Sequence, residues 1–164
     1  MKTFLLPFFL LIAILLGWAQ TPSSNKSTAT QKKPVSPFAD YAGDWRATLD
    51  GQVWLQLTLE LRGEQLTGSL VHPRNTTLND NGEVKSISEE QSTETVTEAV
   101  MNPDGLLITL KDSDTQETDR YVMKLVEPTK DAADLKIIGR AMPPGMPKPK
   151  PWRVVKADAA PTAR

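Results

Sequence analysis

The most constraining feature of this chain is the alternation from Val53 to Arg62. Val53, Leu55, Leu57, Leu59 and Leu61 interleave with Trp54, Gln56, Thr58, Glu60 and Arg62. Successive side chains of an extended strand point to opposite faces, so this pattern sets every Leu on one face and the polar residues and Trp54 on the other. A helix would scatter the same leucines around its circumference. The pattern recurs on both sides. Trp45, Ala47 and Leu49 alternate with Asp44, Arg46 and Thr48 ahead of an Asp50-Gly51 turn. Leu66, Gly68 and Leu70 follow a Gly63-Glu64 turn, and such short connections join antiparallel neighbours.

Further strands are expected over Glu83 to Glu90, Thr93 to Met101, Leu106 to Lys111, Arg120 to Val126, Leu135 to Ala141 and Trp152 to Lys156. The turn sequence Asn102-Pro103-Asp104-Gly105 separates two of them, with Pro presetting φ and Gly accepting a positive φ. The count predicts an all-β fold: an antiparallel up-and-down β-barrel of eight or nine strands. A Greek key would need a long crossover that the short connections do not supply, and closure hides the sheet edges.

The ends of the chain read differently. Met1 to Ala19 carries Lys2, an apolar run from Phe4 to Leu16, and Gly17-Trp18-Ala19 with small residues placed for cleavage after Ala19. It is expected to be a signal peptide, the apolar run being short of the roughly 20 residues that span hydrocarbon. Export to the periplasm or the exterior follows, without stable membrane insertion. Residues 20–37 hold one aliphatic residue larger than Ala, Val35, and are expected to form a disordered linker, as is the tail 158–164; the barrel is placed at residues 38–157.

Composition removes several functions. With no Cys, the chain has no disulfide scaffold, thiolate metal site, cysteine nucleophile or lipid-anchored cysteine. One His and the lack of a G-x-S-x-G or H-E-x-x-H motif argue against an enzyme and imply no cofactor. A net charge of −1 argues against a nucleic-acid partner.

Gly43-Asp44-Trp45-Arg46-Ala47-Thr48-Leu49, then Leu55 to Leu61, then Leu66-Thr67-Gly68-Ser69-Leu70 resembles the small lipocalin-like (calycin-type) β-barrel module of secreted bacterial proteins, which begins G-x-W-x-G-x-L and continues to L-x-G-x-L. The resemblance runs from Ala42 to Ala157 and implies the fold and an extracytoplasmic location; the family carries no single chemistry. Ala47 and Ala141 stand where the family has Gly and Trp, which changes the interior volume.

Two binding modes are expected. A small apolar ligand would lie in the barrel mouth, against Leu55, Leu57 and Leu59, in space left by Gly68, Gly139 and Ala141. Alternatively, an extracytoplasmic protein would dock on the outside of a packed monomeric barrel, using Trp54, Met142, Met146 and Trp152, with MPPGMPKPKP (142–151) as a polyproline II loop. That loop serves equally as a stiff connector, and Trp152 as packing. Trp45 is expected to plug the closed end. His72 reads as a solvated turn residue at a strand end. Asp112-Ser113-Asp114 with Glu117 and Asp119 is a loose oxygen-ligand pattern without the Gly and terminal Glu of a calcium loop, so it reads as a solvated hairpin.

Overall fold

The computed structural model describes residues 36–140 and 144–158, all within the compact unit Pro34–Arg164. The expected signal peptide and nearly all of the linker lie outside these residues, as do the end of the tail and the calls on Ala141 and Met142.

Ten strands follow in order: β1 (Gly43–Leu49), β2 (Gln52–Arg62), β3 (Gln65–Pro73), β4 (Thr76–Leu78), β5 (Val84–Ile87), β6 (Gln91–Asn102), β7 (Gly105–Asp112), β8 (Thr118–Leu125), β9 (Ala132–Ile138) and β10 (Trp152–Lys156). Eight of them close a barrel in the order β1-β10-β9-β8-β7-β6-β3-β2, every pair antiparallel. Each barrel strand therefore neighbours its predecessor and successor, an up-and-down meander broken only by the separate β4–β5 ribbon. The segment from Glu83 thus belongs to a two-stranded excursion and not to the barrel wall. The closed all-β barrel agrees with the expected fold class and is compatible with a lipocalin-like one.

Inward side chains fill the interior. Leu55, Leu57 and Leu59 on β2, Leu66 and Leu70 on β3, Leu106, Ile108 and Leu110 on β7, Met123 on β8 and Leu135 on β9 are all buried. Burying one such side chain is worth about 1.5–3 kcal/mol, so this stack drives closure. Gly68 faces Leu59 across the ladder, and a Cβ there would lie 1.9 Å from the Thr58 carbonyl oxygen. Its small size lets two backbones approach; it opens no room for a ligand.

Two bulges reset the alternation. Ala47 pairs with Leu55 but Thr48 pairs with Val53, so Trp54 is the extra residue in β2. A bulge rotates the strand locally. Trp54, expected on the outside, is consequently buried beside Leu55, and Val53 is turned out at 51% exposure. The β6–β7 ladder skips Thr97 in the same way, which leaves Val100 outside. β9 also starts earlier than expected, at Ala132, because Ala133 continues the inward phase with no exposed surface.

The two barrel ends differ. At one end Trp45 is fully buried, its indole N–H donates to the Tyr41 carbonyl (2.8 Å), and Lys156 Nζ lies 5.0 Å from its ring centre. The turn that carries Phe38 and Tyr41 packs on this end, and Asp40 pairs with Lys130 at 2.6 Å. Trp45 and this turn form the plug. The opposite end carries the β4–β5 ribbon and the Pro-rich segment.

Candidate functional site: the aromatic mouth

At that second end, β2, β8 and β10 each place a ring on the inner face. Trp54 meets Trp152 edge-on, 5.3 Å between centroids at 79°, and Tyr121 lies tilted against Trp152 at 6.0 Å. Edge-to-face and tilted contacts at these distances suit the ring quadrupoles. Above the rings is a cavity of about 370 Å³, with Ile137 in its wall and Thr76 and Leu78 of β4, Met146, Pro147 and Pro149 as its roof.

The roof is fastened. Lys150 N donates to Gly82 O (2.8 Å), and Lys150 Nζ pairs with Glu83 at 2.9 Å. Hydrogen bonds from Asn79 and Lys150, with the charge of Lys150, hold the Glu83 carboxyl below its usual range. Gly82 sits at φ +78°, and a Cβ there would lie 2.0 Å from the Lys148 carbonyl oxygen. Gly82→Ala is therefore expected to push residues 148–150 off the ribbon. Losing one hydrogen bond worth about 1–1.5 kcal/mol should speed exchange of the Lys150 amide roughly tenfold, with little change at β7. Hydrogen exchange measures both, and an unchanged Lys150 rate would refute the clasp.

His72, at the end of β3, is no solvated turn residue. Its side chain is 18% exposed, and Nε2 lies 2.9 Å from Oε1 of Glu94, whose side chain is 4% exposed. Nδ1 lies 2.9 Å from the Pro73 carbonyl oxygen. A carbonyl only accepts, so Nδ1 carries a proton, and Nε2 meets the carboxyl through a further proton. The pair thus holds one more proton than a neutral imidazole beside a carboxylate. Burial pulls the His72 pKa down, but the Glu94 hydrogen bond and charge, the Pro73 carbonyl and Asp119 outweigh it, and the net direction is up. Burial first, then the charges of Glu94 and Asp119, push the Tyr121 phenol well above its usual value, so it stays neutral. Two buried polar atoms have no hydrogen-bond partner among the described residues: Glu94 Oε2 and Trp152 Nε1.

The acidic hairpin satisfies itself. Asp112 accepts from the Ser92 hydroxyl and from the amides of Thr115 (2.7 Å) and Asp114 (2.8 Å), which hold its carboxyl far below the usual range. Asp114 pairs with Arg74 at 2.8 Å. Among the described residues no group of three or more His, Asp or Glu side chains is placed to hold a metal ion.

The expected site residues thus fall into two groups. Trp54, Met146 and Trp152, foreseen as an outer docking surface, come together at the mouth, with Met146 still 58% exposed. Leu55, Leu57, Leu59 and Gly68 lie in the packed interior below it, outside the cavity lining, and Gly139 stands against the Arg120 guanidinium. Sequence reasoning missed Tyr121, Ile137, Arg74, Arg140 and Glu94. A signal existed for Glu94, which shares the inward phase of Ser92 and Val96.

Fold and site together define a closed eight-stranded antiparallel β-barrel with an aromatic-walled cavity at one end. No family model, curated protein or solved structure matches the chain.

Proposed function

We propose that this chain is an exported, non-catalytic, lipocalin-like binding barrel that takes a small, largely apolar molecule in its mouth. The observation that carries this reading is the 370 Å³ cavity walled by Trp54, Tyr121 and Trp152, opposite an end plugged by Trp45. Its volume is at the small end of the roughly 300–1,000 Å³ usual for ligand sites. An apolar wall with a few convergent polar groups is the usual make-up of such a site. The roof segment supports ligand capture over protein docking, since Pro147 and Pro149 face the cavity and Lys150 is tied to the ribbon. Export rests on the leader-like start of the sequence.

The test is titration of the purified chain with the neutral fluorophore N-phenyl-1-naphthylamine, following dye emission and tryptophan quenching. Saturable binding is expected. Trp54→Ala should weaken it about tenfold, the loss of one aromatic contact and its buried area being worth roughly 1.5 kcal/mol. No saturable uptake would sink this reading. The protein-docking alternative predicts instead that dye binding is absent while substitution of Met146 alters capture of a partner.

A further inference from the structure

The charge of the mouth is one-sided. Arg74, Arg140 and His72 line the cavity, and no Asp or Glu among the described residues does. The chain as a whole has 20 acidic and 19 basic side chains, so its composition does not account for this bias. The acids that brace these bases stand outside the lining: Glu90 and Asp114 at Arg74, Asp119 at Arg140, and Glu94 behind His72. The guanidinium pairs leave donors free. Arg74 uses Nε towards Glu90 (3.2 Å) and one terminal nitrogen towards Asp114 (2.8 Å), and the Arg140 contact is long, 3.7 Å. A guanidinium carries five N–H donors in a fork that suits a second oxyanion.

We propose that the ligand of this mouth is an aromatic anion: a flat ring body set against Trp54, Tyr121 and Trp152, bearing one carboxylate or sulfonate that pairs with Arg140 and Arg74. This rests on the binding reading above and adds the ligand's charge. Glu94, paired with His72, stands outside the cavity lining.

The experiment compares two probes with one ring body, 1-anilinonaphthalene-8-sulfonate and neutral N-phenyl-1-naphthylamine, on the full chain. The sulfonate is expected to bind about tenfold more tightly, as one charge-assisted hydrogen bond allows. Arg140→Gln should lower sulfonate affinity about threefold, as expected for a solvent-screened charge, with a smaller change for the neutral probe. Equal binding of the two probes overturns the anion assignment and leaves the binding function standing. An Arg140→Gln effect equal on both probes overturns it too, and binding of neither probe removes both readings.

Discussion

Trp45→Ala is expected to cost about 3–5 kcal/mol, the range for truncating a buried Trp. Three losses contribute, and their sizes order them. Removing the indole from a site with no exposed surface leaves a cavity between β1, β2 and β10, which dominates. The hydrogen bond to the Tyr41 carbonyl adds about 1 kcal/mol, and the Lys156 contact about 0.5–1 kcal/mol. Trp45→Phe retains most of the volume but loses the hydrogen bond, so about 1–2 kcal/mol is expected. Against a total stability of roughly 5–15 kcal/mol for a domain of this kind, the alanine variant is close to unfolding. Urea unfolding monitored by circular dichroism measures both variants. A loss below about 1.5 kcal/mol for Trp45→Ala would show that the end of the barrel collapses around the gap and that the plug is dispensable.

The second large effect is at His72. His72→Ala strips the Glu94 carboxylate of its only side-chain partner among the described residues, at a site where Glu94 is 3% exposed. Breaking a buried ion pair on one side costs about 3–5 kcal/mol, and the 18% exposure of the His72 side chain places this case near 2–3 kcal/mol. Glu94→Gln keeps the shape, and its amide donates to a neutral Nε2, so it should cost about 1 kcal/mol. In the double variant His72→Ala/Glu94→Leu no buried charge remains, and most of the loss should be recovered.

The pH dependence separates this account from simple packing. The pair holds the folded-state pKa of His72 above its unfolded value of about 6.5. Its stabilisation is therefore complete below about pH 6.5 and is lost as pH rises through the raised folded value. Wild-type stability should fall as pH rises above about 6.5, and the Glu94→Gln curve should stay flatter, so the two converge at high pH. Parallel curves would falsify the coupling.

How much of this is legible in the chain follows from particular residues. The β2 leucines, the Asp50-Gly51 and Gly63-Glu64 turns and the run of short strands predict a closed meander, because pleat period and turn chemistry are local properties. The inward Trp45 is legible for the same reason. Trp54 is not, since the bulge that turns it inward depends on how β1 and β2 register around the closed barrel. The strand at Val84–Ile87 is legible from its composition, but its pairing with Thr76–Leu78, which carries no strand signal of its own, is not, because nothing local says which partner it chooses.

The sequence alone thus determined the class of fold, the plugged end and the lack of cysteine chemistry, all consequences of residue type and short-range order. Only the tertiary structure decided what faces the mouth. It joined His72 to Glu94, 22 positions away, packed Trp54 on Trp152, and set Arg74 and Arg140 on one cavity while their acids stayed outside it. The physical reason is that a ligand site is an agreement among distant side chains. One extra residue in a ladder reverses the face of everything near it, while leaving the pattern of polar and apolar letters almost unchanged.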